Sequence, residues 1–439
     1  MIIENKKVGV ISLGCDKNRV DTEKMLSILA KKHVLTNEIE NAEIIVVNTC
    51  AFLESSRIEA IDEIMQAYEY KKIGKLEKLI MTGCLPQKFI CDIFDDLKEV
   101  DIFLGVSDYD KILDAINLAY EGKRVNLVGE AGAENGTNRV LTTTNYAYLK
   151  IADGCSNHCT YCLIPKIRGK YRSVPKEDLL LEAKNLGDVQ ELILVAQDTT
   201  KYGSDIYCDY NLVSLIRDLT ALDNVKSIRL LYCYPESITD ELIIEIKNNK
   251  KVVKYIDIPL QHADDKILKL MNRKGTYQSY LELINKLKSQ IEGIAIRSTF
   301  ITGFPNESKE SFDNLVKFLK EAKLFNAGFF KYSKEEGTAS AVLKGHMPER
   351  TKESRCKKLY QVQGQIVKKI LKDYIGKTID VIADGFNEDE LCYEGRAYFN
   401  APTIDGKILF TSQKEITGGK TYKVKILSTF DYDLYGEVQ

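Results

Sequence analysis

The feature that most constrains this chain is the stretch Gly154-Cys155-Ser156-Asn157-His158-Cys159-Thr160-Tyr161-Cys162, with three cysteines spaced C-x3-C-x2-C. Thiolates this close on one loop can each hold a corner of a four-iron cluster. The fourth iron then has no protein ligand at the loop and is open to a small molecule. A zinc site with His158 as fourth ligand competes with this reading. Zinc sites usually pair ligand clusters far apart in sequence, and His158 is bonded directly to Cys159, which makes a closed tetrahedron awkward. Inert buried thiols fit the spacing least well. Tyr161, just before the last cysteine, suits a residue packed against a cofactor.

A chain of 439 residues has room for more than one domain. The opening Met1-Ile2-Ile3-Glu4-Asn5-Lys6-Lys7 lacks the apolar core of a signal peptide. No apolar run approaches the roughly 20 residues that span a bilayer. A cytoplasmic setting is therefore expected, in which thiols stay reduced and serve metals or catalysis more often than disulfides. The odd count of eleven cysteines agrees. A formal net charge of −2 argues against a chain built to coat nucleic acid.

The first third alternates strand and helix patterns, which implies a parallel sheet. Apolar runs at 8–14, 44–49, 78–83 and 100–105 read as strands. Helices are expected at 21–31, with Asp21 as N-cap, at 54–70 and near 109–120. Cys15, Cys50 and Cys84 each stand just past the end of a different strand. Ligands bind at the carboxyl ends of strands in such sheets, so three cysteines far apart in sequence are expected to converge on one edge. For a single cysteine, a small buried residue is the ordinary explanation. It is a poor one for three in equivalent places. Cys91, Cys208, Cys356 and Cys392 show no such pattern, and Cys233, which ends a strand without partners, reads as packing.

The compact loop resembles the signature of the radical S-adenosyl-L-methionine (SAM) superfamily. Ser12-Leu13-Gly14-Cys15-Asp16-Lys17-Asn18, Asn48-Thr49-Cys50 and Thr82-Gly83-Cys84 resemble the N-terminal domain of the methylthiotransferases, apart from Asp16, where that family often has proline. The resemblance implies two 4Fe-4S clusters: one on Cys155, Cys159 and Cys162 that binds SAM, and an auxiliary one on Cys15, Cys50 and Cys84. It also implies radical chemistry that belongs to the cofactor, which the protein orients and shields.

After a linker at 121–146 that holds Gly132, Asn135, Gly136 and Asn138, the alternation resumes. Strands are expected at 147–152, 191–196, 226–232, 255–260, 295–301 and 327–332, with helices such as 176–186, 212–222 and 309–322 between them. Six units make a partial (β/α)6 barrel resembling the radical SAM core, with the cysteine loop after its first strand, at the end where barrel active sites lie. Gln197, Ser298 and Gly303, together with Tyr161, are then candidates for SAM contact, although each could equally serve as a cap or turn. The basic loop Arg168-Gly169-Lys170-Tyr171-Arg172 reads by default as a solvated surface, with contact to cofactor or substrate as the sharper alternative. Leu230-Leu231-Tyr232-Cys233-Tyr234-Pro235 and Asp257-Ile258-Pro259-Leu260-Gln261-His262-Ala263 resemble the branch of the methylthiotransferases that acts on a protein rather than on tRNA.

A helix at 349–374 precedes short alternating strands at 378–383, 391–399, 407–410 and 421–428, the pattern of a small antiparallel barrel. This piece resembles a TRAM domain, and its ending Asp433-Leu434-Tyr435-Gly436 is similar to that of the protein-modifying branch, with Tyr435 where tryptophan is frequent. Residues 375–439 carry seven Lys and Arg against eleven Asp and Glu, a balance of minus four. Such a module is expected to repel phosphates and attract a basic protein, although a merely soluble surface would show the same balance.

The expected fold is thus α/β: a methylthiotransferase N-terminal domain at 5–121, a radical SAM core at 141–371 and a TRAM domain at 374–439. The resemblance implies addition of a methylthio group to the β-carbon of an aspartate in small-subunit ribosomal protein twelve. It further implies an electron donor such as flavodoxin or ferredoxin, a sulfur donor, no membrane partner and a monomer. The tail domain is expected to be removable without loss of SAM cleavage. Competing readings are the same chemistry on a tRNA adenosine, or a non-catalytic metal-containing RNA-binding protein.

Overall fold

The computed structural model describes residues 2–132 and 136–439. Asn135, part of the expected linker, lies outside the described residues. In the first domain β1 (Lys7–Ser12), β2 (Val34–Leu35), β3 (Ile44–Thr49), β4 (Lys78–Gly83), β5 (Ile102–Phe103) and β6 (Val125–Asn126) form one sheet in the order β2-β1-β3-β4-β5-β6. Every pair is parallel. β3 is buried along its whole length, as a central strand covered by helices on both faces must be. The edge strands β2 and β6 have two residues each, too short for periodicity to reveal.

The first helix runs Asp16–Leu29 with Cys15 as its N-cap, so it starts earlier than the Asp21 expected. Asp21 lies inside the helix, buried, and pairs with Lys150 and Arg168 of the second domain. Tertiary ion pairing overrides its capping preference.

The second domain contains β7 (Tyr146–Lys150), β8 (Ala152–Asp153), β9 (Arg172–Ser173), β10 (Glu191–Val195), β11 (Ile228–Leu230), β12 (Val252–Asp257), β13 (Ala295–Thr302) and β14 (Asn326–Lys331). Six of these make a parallel sheet in the order β14-β13-β12-β11-β10-β7, the partial barrel expected. β8 and β9 pair separately and antiparallel, at the two ends of the cysteine loop. Along β10, Leu192 and Leu194 join the core beneath the helices, whereas Ile193 and Val195 face inward with Tyr148, Leu231 and Tyr255. The helix Asp16–Leu29 packs along β7, at the open edge of the barrel.

A helix at Glu349–Lys372 leads to β15 (Thr378–Asn387), β16 (Cys392–Arg396), β17 (Ile408–Thr411), β18 (Thr421–Phe430) and β19 (Asp433–Val438), which close a barrel in the order β15-β16-β17-β19-β18. Its pairs are antiparallel apart from a parallel seam between β17 and β19. The tail is not a loosely tethered module. Phe399 and Ala401 share one apolar core with Ile193, Val195 and Tyr255. Glu191 accepts from Arg396 and from Arg229, each at 2.7 Å, and Tyr255 donates to the buried carboxylate of Asp405 at 2.7 Å. The segment 397–405 therefore packs onto the inward face of the central sheet. Among the described residues no helix is long and apolar enough to cross a membrane.

Candidate active site and cluster sites

Cys15 follows β1, Cys50 follows β3 and Cys84 follows β4, so the parallel sheet itself brings the three thiols to one edge. Asn18 knits that edge together. Its Nδ2 donates to the carbonyls of Leu13 and Thr49, both at 3.0 Å, and its Oδ1 lies 4.0 Å from Cys15 Sγ and 3.8 Å from Cys84 Sγ. Gly83, just before Cys84, has φ +95°, and a Cβ there would stand 2.3 Å from Asn48 Oδ1, so the turn into the cysteine admits only glycine.

Cys15 stands at the N-cap of one helix and Cys84 opens another, positions that favour thiolates and anions. Cys50 instead meets the backbone N–H groups of Phe52 and Ala51, which lie before the next helix. Burial pushes the Cys84 thiol up to about 12, with Arg168 opposing. Burial also raises Cys50. A metal displacing the proton would remove that penalty.

The compact loop is held differently. Gly154 has φ +74°, and a Cβ would lie 2.1 Å from the Lys170 carbonyl. The N–H of Cys155 donates to Gly169 O at 3.1 Å, and that of Thr160 to Met271 O at 3.1 Å. Cys155, Cys159 and Cys162 are all half-buried. Burial pushes Cys162 up to about 12, opposed by the N–H of Ile164, and burial also raises Cys155. Tyr161 packs against the cluster of Ile267, Met271, Phe304 and Tyr332. His158 is exposed, at a left-handed turn with φ 51°.

Two buried arginines mark the two sets. Arg168, expected on a solvated surface, is 1% exposed and donates to Asp153 at 2.8 Å, Asp21 at 3.0 Å and Asn18 at 2.6 Å. It thereby stands between the dispersed cysteines and the base of the compact loop, whose Cys155 N–H bonds its neighbour Gly169. Arg273 stacks over Tyr234 at 4.0 Å with Nη1 4.0 Å from Cys159 Sγ. Lys17 is buried over the ring of Tyr232, whose hydroxyl donates to Asp16 at 2.8 Å. Sequence reading missed Arg273 and Lys17. Charged residues look solvated until the fold buries them; Lys17 stands two residues from Cys15, but Arg273 lies 114 positions from Cys159 and gave no local signal.

The remaining candidates fall at the strand ends. Gln197 donates to Asp153 at 2.9 Å, while its buried Oε1 has no partner. Ser298 is fully buried and accepts from Leu260 N at 3.3 Å. Gly303 gives its N–H to Glu307, and the Lys352 side chain closes over it. Near it His262 is fully buried, accepts from Asp264 N at 2.9 Å and leaves Nε2 3.8 Å from Glu307. A cleft of 820 Å³ opens beside the compact loop, lined among others by Asn157, Asp198, Lys201, Tyr234 and Lys274. Cys233 is fully buried in the main core.

These features fit anionic iron–sulfur clusters. Each set presents three thiols beside a buried guanidinium, and an orphaned polar atom on Gln197 awaits a polar ligand. Among the described residues no three His, Cys, Asp or Glu side chains crowd together as ligands of a single metal ion would.

The chain matches the model of the radical SAM superfamily at 149–319, of the uncharacterized protein family UPF0004 at 7–105 and of the TRAM domain at 375–438. It is 46% identical to the ribosomal protein uS12 methylthiotransferase RimO of Clostridium botulinum, over 99% of both chains. Its counterpart in Clostridium tetani is 46% identical over 98% of both. Among solved structures, the radical SAM methyltransferase TsrM from Kitasatospora setae shares the fold at a TM-score of 0.55 and 11% identity, covering 77% of each chain. The cobalamin-dependent radical SAM enzyme OxsB does so at 0.51 and 14%, covering 83% of this chain and 56% of the other. With 46% identity across nearly its full length, the chain belongs to the RimO family of radical SAM methylthiotransferases.

Proposed function

We propose that this enzyme adds a methylthio group to the β-carbon of an aspartate in small-subunit ribosomal protein twelve, uS12. Cys155, Cys159 and Cys162 would hold one 4Fe-4S cluster and SAM, and Cys15, Cys50 and Cys84 the auxiliary 4Fe-4S cluster. Bound there, these groups supply a radical able to take hydrogen from a carbon that no side-chain acid or base could ionise. The chain's own residues do the rest. Arg168 and Arg273 offset the charge of the two thiolate sets, Gln197 Oε1 offers a contact to SAM, and Tyr161 seals the compact loop against the apolar floor beneath it.

The observation that carries the reading is the approach of both cysteine sets to the Arg168 loop, which supports a sulfur-bearing site beside a SAM site. The acidic TRAM surface suits a basic ribosomal protein. The working setting is the cytoplasm, with the enzyme as a monomer served by a flavodoxin- or ferredoxin-type electron donor and a sulfur donor.

The test offers the reconstituted enzyme purified uS12 and tRNA together, under reducing anaerobic conditions, and follows the methylthio mass. Modified uS12 with unmodified tRNA is expected. A modified adenosine with untouched uS12 overturns the substrate assignment.

A further inference from the structure

The helix Glu349–Lys372 carries eight Lys and Arg against two Glu, in a chain whose net charge is −2. Its first turns are committed: Arg355 holds Glu307 at 2.6 Å, and Lys352 donates to Tyr332 O at 2.9 Å. Lys357, Lys358, Lys368, Lys369 and Lys372 are exposed, and among the described residues none of them joins an ion pair. Lys358, Gln361, Gln365, Lys368 and Lys372 recur at three- and four-residue steps, so they share one face of the helix. That face stretches roughly 20 Å, at about 1.5 Å per residue.

It borders a cleft of 530 Å³ whose other wall is the β18–β19 turn, with Phe430 and Tyr432. Phe430 is 66% exposed. Asp431 also lines the cleft, and Gly364 lies on its helix side. A Cβ at Gly364 would meet only Tyr432 Oη, at 3.8 Å, so packing within the chain does not require the glycine that widens this cleft. Glycine in the middle of a helix is less favourable than alanine.

Lysines that track a backbone, amides beside them and an exposed aromatic ring across a cleft are the elements of single-stranded nucleic-acid recognition. Phosphates take the lysines, and a base stacks on the ring. We infer that the lysine face of this helix and the Phe430–Tyr432 turn bind an unpaired RNA segment, so that the ribosomal protein is engaged while assembled on RNA. The second clause rests on the uS12 reading; the RNA site itself does not. The acidic TRAM barrel and the basic helix lie side by side, which gives a basic protein and its RNA adjoining surfaces of opposite sign.

The test measures full-length protein binding to a fluorescein-labelled single-stranded RNA across a salt series, with anionic phospholipid vesicles as the comparison surface. Lys358→Gln with Lys368→Gln is expected to lower affinity on the order of tenfold at 0.1 M salt and to reduce the log–log salt slope by about 1.4, from roughly 0.7 per phosphate contact. Phe430→Ala is expected to cost about tenfold without changing that slope. Circular dichroism controls for folding. Unchanged affinity in both variants, absent RNA binding by the wild type, or equal capture by the vesicles overturns the site. Methylthio transfer is the separate arm, offered purified uS12 and uS12 bound to its RNA: faster transfer to the RNA-bound form is expected, modification of neither counts against the uS12 reading and leaves the RNA result standing, and equal transfer to both overturns the second clause.

Discussion

The compact and dispersed cysteine sets place three thiols apiece by opposite means. The compact set is local. Eight consecutive residues bring Cys155, Cys159 and Cys162 together, and the fold only has to pin the loop at Gly154, Thr160 and Arg273. The dispersed set has no local basis, since Cys15 and Cys84 are joined through β1, β3, β4 and the side chain of Asn18. One site survives as long as a loop is intact; the other exists only as long as a sheet does. Arg168 belongs to the second domain yet completes the site of the first.

The largest expected effect comes from removing either set. Reconstituted protein is expected to hold about eight irons, four per cluster. Alanine at Cys155, Cys159 and Cys162 should remove half the iron and all SAM cleavage. Alanine at Cys15, Cys50 and Cys84 should remove the other half while SAM cleavage persists. Full iron retention by the second variant, measured with acid-labile sulfide, would break the comparison at its root.

Next in size is the joint. Arg168→Met leaves Asp21 and Asp153 buried beside an apolar side chain, and breaking such a pair costs about 3–5 kcal/mol. Denaturant unfolding should show that loss, and iron should go first from the dispersed set. An equal loss from both sets would mean that Arg168 supports the fold and not one site.

Acid should separate the two regions further. Burial pushes the His262 imidazole down to about 3, so the ring is neutral in the folded chain and protonates readily only when unfolded. Stability from this group is complete above an unfolded value of about 6.5 and is lost as pH falls toward about 3, by up to about 1.4 kcal/mol per unit. Glu307, which burial pushes up, works the other way below its own raised value. His262→Asn should flatten the slope of unfolding free energy against pH in that window. If the slope is unchanged, the titrating group lies elsewhere.

The smallest effect is expected at Cys233, buried in the core but apart from both sets. Cys233→Ala should keep all the iron and lose about 1 kcal/mol as a small cavity. Lost iron with an intact circular dichroism spectrum would add it to the ligands.

How much of this was legible in the sequence follows the same division. The compact set and the alternation of strands and helices could be read directly, because local spacing carries them. The convergence of Cys15, Cys50 and Cys84 was legible only through a topological rule, that strand ends in a parallel sheet share an edge. The default reading of Arg168 as solvated and the reading of Asp21 as a cap both failed because the two pair with each other across 147 positions, and no local window of residues contains both. The two-residue strands β2, β6, β8 and β9 fell below the length at which a period can show.

The segment 397–405, packed on the inward face of the central sheet, has a consequence for how the protein is made. The wall of the barrel is finished by β14, yet the residues that cover its inner face follow it in the chain, beyond the helix Glu349–Lys372, and leave the ribosome later. Until then Ile193, Val195 and Tyr255 remain uncovered, and a nascent chain in that state is a natural client for chaperones. A message cut short before residue 374 would yield a product that never completes its interior. It is expected to be protease-sensitive and aggregation-prone, not an active core lacking an accessory. Pulse proteolysis of the 1–373 fragment beside the whole chain would reveal this, and a resistant fragment that cleaves SAM would refute it. The segment 397–405 is thus expected to act as a check on length, through which a chain becomes stable only once it has been translated past that segment.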